Sequence, residues 1–164
     1  MKLYFYPKST KHKSTDTEKL ILESLESYCG KPQSAFRVKR NQNGKPFIEG
    51  NEYYVGVTHT DKLIIVGIDA KNFGIDCENA DRTVNNADRI AKKYFSDNEC
   101  DYIFKAEDVA EKNERFLEIW VKKEAYVKYL GTGLKDMKSF CVFSLEGSFE
   151  KVNYGNNITY IYRG

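Results

Sequence analysis

The stretch Trp120-Val121-Lys122-Lys123-Glu124-Ala125-Tyr126-Val127-Lys128-Tyr129-Leu130-Gly131-Thr132-Gly133-Leu134 sets lysines and a carboxylate into what otherwise reads as a core helix. At about 100° per residue, Phe116, Ile119, Trp120, Tyr126, Val127 and Leu130 form one apolar arc, and Lys123 falls near its middle. Glu124 and Lys128 lie one turn apart along the margin of that arc. The structural reading is that Lys123 snorkels its stem over the apolar surface while Glu124 and Lys128 form an ordinary i,i+4 pair. The functional reading is that these charges are kept on a buried face for chemistry, and a second segment favours it.

Leu63-Ile64-Ile65-Val66-Gly67-Ile68 reads as a strand, and Gly74-Ile75-Asp76-Cys77-Glu78 follows it with two carboxylates spaced by two residues. Asp76 and Glu78 therefore point from one face of an extended segment, with Cys77 on the other. Joined by Glu124 from the helix, they make an all-oxygen donor set suited to a hard cation that binds through substrate phosphates, Mg²⁺ or Mn²⁺. Four cysteines without a Cys-x-x-Cys spacing, and only two histidines, indicate neither a zinc site nor a disulfide framework.

A chain of 164 residues with 41% apolar and 14% aromatic content can build one packed domain or two small halves sharing a core. No apolar run approaches the length of a membrane span, and the N-terminus reads as a strand rather than a signal peptide, so the expectation is a cytoplasmic protein without a membrane partner. The net charge of +2 hides an asymmetry: residues 1–50 carry ten Lys/Arg against five Asp/Glu, and the remainder is acidic. The basic residues are scattered among helix and strand signals rather than drawn into a stripe, which argues for a small polyanion and against nucleic acid.

Along the chain the pattern predicts a strand at residues 2–6 and a helix from Asp16 or Thr17 to Tyr28. Strands follow at 35–39 and 45–48 around an Asn43-Gly44 turn, and then a hairpin of residues 53–59 and 63–69. A strand at 74–78 and a helix from Val84 to Phe95 come next. Ser96-Asp97-Asn98-Glu99 is a capping box opening a short helix. A charged stretch, 105–113, precedes the long helix, which ends at Gly131, and strands at 139–145, 149–152 and 158–162 close the chain. The class is α+β. The order of strand, helix and strands occurs twice, with a crossover near Asn72.

Gly-Ile-Asp-x-Glu, then Ile90-Ala91-Lys92-Lys93-Tyr94-Phe95-Ser96, then Trp-x-x-Lys-Glu-Ala-x-x-Lys-x-x-Gly-x-Gly-Leu, in this order, resembles the 4′-phosphopantetheinyl transferases of the Sfp type. Upstream, Asn43-Gly44-Lys45-Pro46 and Val57-Thr58-His59-Thr60 resemble that family's Gly-Lys-Pro and Ser-His-Ser-type segments. Two departures are visible. Threonines flank His59 where the family more often has serine, and the segment before Lys39 is shorter than in the longer members.

The resemblance implies two similar α/β halves in one chain with coenzyme A in the cleft between them. Residues 1–72 would form the adenosine and 3′-phosphate side, and residues 73–164 the half with the metal site and motif helix. It implies transfer of the phosphopantetheine arm from coenzyme A to a serine of an acyl or peptidyl carrier protein, by a monomer. Asp76, Glu78 and Glu124 would hold Mg²⁺, and Glu124 and Lys128 would be catalytic. Lys45, Pro46, His59, Thr60, Lys123, Lys128 and Lys13 would contact coenzyme A. Read from the residues alone, a Mg²⁺-dependent phosphohydrolase and a basic nucleic-acid-binding module remain alternatives.

Overall fold

The computed structural model describes residues 1–8, 17–50 and 52–164, the side chain of Asp136 apart. β1 (Lys2–Pro7), β4 (Tyr54–His59) and β5 (Leu63–Asp69) form an antiparallel sheet in the order β1-β5-β4, and β2 (Val38–Arg40) pairs with β3 (Pro46–Ile48) as a short ribbon. β6 (Gly74–Asn79), β7 (Ser148–Asn153) and β8 (Asn157–Arg163) form a second antiparallel sheet in the order β6-β8-β7. The helices are α1 (Thr17–Cys29), α2 (Ala87–Tyr94), α3 (Asp97–Phe104) and α4 (Val109–Leu130). The chain is thus a mixed helix and sheet protein, as the patterning predicts.

β5 explains why its sequence shows no alternation. Ile64, Val66 and Ile68 face α1, where they cluster with Leu20, Ile21 and Leu25, while Leu63 and Ile65 turn the other way. That second set packs with Phe73, Ile75, Cys77 and Ile161 of the β6-β8-β7 sheet and its approach, so β5 is apolar on both sides. Hydrophobic burial at about 25 cal/mol per Å² makes this shared layer one tie between the two sheets, beside the direct approach of β4 to β6. Phe73 lies flat over two strand glycines: a Cβ on Gly56 or Gly67 would come within 2.7 or 2.8 Å of its ring.

α4 packs on β6 by backbone contact. A Cβ added at Gly74 would fall 1.9 Å from the carbonyl oxygen of Ala125 and 2.5 Å from the amide nitrogen of Tyr129. Only glycine permits that approach, and it fixes α4 directly beside the strand that carries Asp76. Farther back, Phe116, Leu117 and Ile119 join Ala91, Phe95 and Ile103 in a separate core under α2 and α3. Asp108 caps the start of α4 by accepting from the Glu111 amide, and Gly131 ends it at φ 72°.

Several boundaries depart from the pattern. Half of the charged 105–113 stretch is already helical, because Asp108 supplies the cap. α2 starts at Ala87, since the Val84 amide is taken by the Asn113 side chain at 3.0 Å. Residues 33–35 form a 3-10 turn ahead of β2. Leu130 is exposed rather than part of the apolar face. The strand expected at 139–145 is absent; residues 134–139 and 142–144 form 3-10 turns instead. Their backbone groups serve buried side chains rather than a ladder: Lys123 Nζ donates to the carbonyls of Met137 (2.6 Å) and Phe140 (2.7 Å), and the Val142 amide donates to Glu99 (2.7 Å). Asp16, the other residue at which the pattern lets α1 begin, and Lys13 lie outside the described residues.

Candidate active site

A cavity of about 720 Å³ opens where β4, β6, α4 and the loop before β3 meet. β6 contributes Asp76 and Glu78, α4 contributes Trp120, Glu124 and Lys128, and β4 contributes Thr58 and His59. Arg40, Asn43, Lys45 and Pro46 line another stretch of wall beside Gly131, Gly133 and Leu134. A second cavity of about 490 Å³ adjoins it and shares His59, Glu78 and Arg82 as walls, with Lys8, Thr60 and Asp81 added.

The three carboxylates grouped by sequence thus face one space, in three different electrostatic conditions. Asp76 is buried, and its Oδ1 accepts from Lys128 Nζ at 2.6 Å and from Thr58 Oγ1 at 3.0 Å. Glu78 is held by an ion pair to the Arg82 guanidinium. Glu124 takes part in no ion pair with a described residue. Burial, and after it the negative charge of Asp76, pushes its carboxyl up to about 7 against the opposing pull of Lys128, with Glu78 adding to the rise.

Among the described residues, no three His, Cys, Asp or Glu side chains come close enough together to hold a metal ion. In this arrangement two of the three carboxylates expected to hold Mg²⁺ are turned to cations of the chain, Asp76 to Lys128 and Glu78 to Arg82. The donor set still has the chemistry of a hard-cation site: three oxygen donors on one cavity, mutually repelling, with the Cys77 thiol withdrawn. Cys77 is buried on the opposite strand face, where it accepts from Thr159 Oγ1 at 3.1 Å, and burial pushes its thiol up to about 11.

The remaining expected residues divide. His59 is exposed on the wall common to both cavities, and Pro46 lines the larger one. Lys45 reaches the larger cavity, yet its ammonium donates to the Tyr129 carbonyl (3.1 Å) and to Asn72 Oδ1 (3.3 Å), and burial lowers its pKa. With Asn41 and Asn43 donating to the Gly131 carbonyl at 3.2 and 2.8 Å, it caps the C-terminal end of α4, where a positive charge also meets the helix dipole. Thr60 lies on the smaller cavity alone, its carbonyl accepting from Lys8 at 3.3 Å.

Lys123 corrects the sequence reading. It neither lines the cavity nor snorkels to water. Its side chain is 0% exposed and its ammonium lies 2.9 Å from the equally buried Glu99, with the two carbonyls already named completing its donors. Burial lowers its pKa and Glu99 opposes the fall. Sequence reasoning also misses Thr58 and Arg82. For Thr58 a signal exists: next to His59 on a strand, it must face the other way, toward β6. Arg82 sits in a loop without periodicity and gives none.

The sequence pattern of the 4′-phosphopantetheinyl transferase superfamily matches residues 72–161. The chain is 28% identical over 140 residues to the 4′-phosphopantetheinyl transferase Sfp of Bacillus subtilis (strain 168), covering 84% of this chain and 61% of that protein. It is 29% identical over 120 residues to the 4′-phosphopantetheinyl transferase gsp of Aneurinibacillus migulanus, covering 71% of this chain and 47% of that one. The chain belongs to the 4′-phosphopantetheinyl transferase superfamily. It spans about half to three fifths of the length of these relatives.

Proposed function

We propose that this chain transfers the 4′-phosphopantetheine arm of coenzyme A to a serine hydroxyl of an acyl or peptidyl carrier protein, releasing adenosine 3′,5′-bisphosphate. The observation that carries this reading is the meeting of Asp76, Glu78, Glu124 and Lys128 with His59 on one cavity, in a member of this superfamily. In this reading residues 1–72 and 73–164 act as two halves, with coenzyme A in the cleft between them, and the enzyme is a cytoplasmic monomer. No helix among the described residues is long and apolar enough to cross a membrane.

Phosphoryl transfer needs positioning and charge neutralisation more than covalent chemistry from the protein. Asp76, Glu78 and Glu124 would hold Mg²⁺, or Mn²⁺ in its place, which when bound supplies positive charge to the diphosphate. Lys128, already at the cavity, turns from Asp76 to a diphosphate oxygen. Glu124, which lines the same cavity, is placed to accept the serine proton, directly or through a water, as the hydroxyl oxygen attacks the phosphorus bearing the pantetheine arm. The bond from that phosphorus to the bridging oxygen breaks, and the adenosine bisphosphate leaves with the electron pair. His59 donates to the 3′-phosphate at the distal end.

Incubation of an apo carrier protein with coenzyme A, Mg²⁺ and this chain, followed by intact-mass measurement, tests the reading. A gain equal to phosphopantetheine is expected. Hydrolysis of coenzyme A without any mass gain on the carrier would replace it by a phosphohydrolase. Salt-sensitive binding to nucleic acid without metal dependence would replace it by a binding module.

A further inference from the structure

Arg82 stands apart from every motif that brought the other residues to notice. It follows β6 in the 80–86 loop, and its backbone is tied down from several sides. The Arg82 amide donates to the Asn79 carbonyl at 3.0 Å, and the Asp81 amide to Asn79 Oδ1 at 3.0 Å. Asn113 of α4 then bridges the loop, donating to the Arg82 carbonyl at 2.9 Å while accepting from the Val84 amide at 3.0 Å. A loop held this way presents its side chain from a fixed root.

That side chain reaches back to Glu78 and lines both cavities at their junction. The pair is half open to solvent: Arg82 is 50% exposed and Glu78 is 20%. An ion pair so placed is weak and is readily exchanged. The guanidinium is a planar fork that matches phosphate oxygens two at a time.

We propose that Arg82 is a phosphate-binding arm parked on Glu78, and that it exchanges Glu78 for the diphosphate of coenzyme A when the ligand enters. The inference rests on the coenzyme A reading above. It makes the carboxylate wall a set of counter-ion exchanges. Lys128 and Arg82 hold Asp76 and Glu78 in the free protein, and both cations pass to phosphate oxygens as the carboxylates are released for a divalent cation. Arg82 therefore competes with the metal when nucleotide is absent and assists the nucleotide when it is present.

Those opposite signs give the test. Mn²⁺ binding is measured by electron paramagnetic resonance without nucleotide, and coenzyme A and dephospho-coenzyme A binding by calorimetry in Mg²⁺, for the wild-type chain, Arg82→Gln, Arg82→Lys and Lys8→Gln. Arg82→Gln should bind Mn²⁺ about three- to fivefold more tightly, the equivalent of losing an exposed ion pair. It should bind both nucleotides about ten- to a hundredfold more weakly, the equivalent of a charge-assisted hydrogen bond. Arg82→Lys, which keeps the charge and loses the fork, should fall between. Lys8→Gln removes a cation from the smaller cavity without freeing Glu78, so an equal gain in Mn²⁺ affinity there would overturn the exchange. So would an Arg82→Gln protein that changes neither affinity or weakens both, and a loss confined to coenzyme A would overturn the assignment to the diphosphate. A wild-type chain that binds neither nucleotide overturns the coenzyme A reading itself, whereas normal wild-type binding with an indifferent Arg82→Gln overturns only this inference.

Discussion

Two of the lysine–carboxylate pairs that α4 makes, on different sides of the helix, have opposite characters. Behind the helix, Glu99 and Lys123 are both 0% exposed, and each has its hydrogen-bonding capacity taken up by backbone: Ser96 and Val142 amides on one, Met137 and Phe140 carbonyls on the other. In front, Lys128 is one-third exposed, it and Thr58 both donate to Asp76, and Glu124 beside them has no cationic partner of its own among the described residues. A closed set of charges can only hold parts together. An open set, with one carboxylate in excess and a cavity beside it, can exchange partners. The helix thus uses one face as an anchor and another as a reaction surface, and Lys123 and Glu124, adjacent in sequence, belong to different faces.

The largest contrast is expected in activity. Glu124→Ala and Asp76→Ala should each lower the transfer rate by about three orders of magnitude, the scale of losing a group that stabilises developing charge, while the thermal midpoint stays within a few degrees of wild type. Lys128→Met should also lose most activity, and should not unfold the protein, because the stem still packs. Chelation should abolish transfer and Mg²⁺ or Mn²⁺ restore it. Near-normal turnover by Glu124→Ala would remove the distinction between the two faces.

Stability should respond in the reverse sense. Lys123→Met leaves Glu99 charged and alone in the core, at a cost of about 3–5 kcal/mol, readable as a shift of the urea midpoint. The paired change Lys123→Met with Glu99→Gln should recover a large part of that loss, since no uncompensated charge remains. If Lys128→Met proves the more destabilising single change, the anchor has been assigned to the wrong pair.

Much of this contrast is legible in the amino-acid sequence. The arc of α4 puts Lys123 on the buried side, and the two-residue spacing puts Asp76 and Glu78 on one face, because periodicity depends only on neighbours along the chain. The capping box at Ser96 is equally local, and Glu99 does close it, at 2.7 Å to the Ser96 amide. What no local pattern contains is that the same Glu99 also receives Lys123 and the Val142 amide. For that reason the apolar residues 139–145 read as a strand and fold as 3-10 turns. The same limit hides the use of Lys45 as a cap for α4, whereas the Glu78–Arg82 pair is close in sequence and escapes notice because it joins a strand end to a loop that has no periodicity.

An intermediate effect should separate the two faces by pH. Glu124 binds its proton more tightly in the folded protein, at about 7, than its ordinary 4.5. Between these values the native state holds more protons than the unfolded state, so its stability falls as pH rises through that window and levels off above it. The full fall is on the order of 3 kcal/mol, and less for a side chain partly open to water. Urea unfolding from pH 4.5 to 8 in the presence of a chelator should show this slope, and Glu124→Gln should flatten it. An unchanged slope in Glu124→Gln would place the titration elsewhere and leave Glu124 no different from a paired carboxylate.

The smallest effect concerns Thr58, whose hydroxyl is the neutral partner of Asp76. Thr58→Val keeps the shape and the β-branched fit to β4, and removes one donor from a carboxylate that retains Lys128 at 2.6 Å. Because the charge keeps its cation and borders a cavity open to water, the loss should be near the ordinary net value of a hydrogen bond, about 1 kcal/mol, measured by urea unfolding. Transfer should slow by less than about tenfold, the kinetic equivalent of that energy. The comparison with the closed face sharpens the point. Glu99→Gln removes a charge whose partner Lys123 has no route to solvent, so it should cost several times more than Thr58→Val. Should Thr58→Val match Glu99→Gln, Asp76 would be as tightly sealed as Glu99, and the front of α4 would be a second anchor with no freedom to exchange its cation.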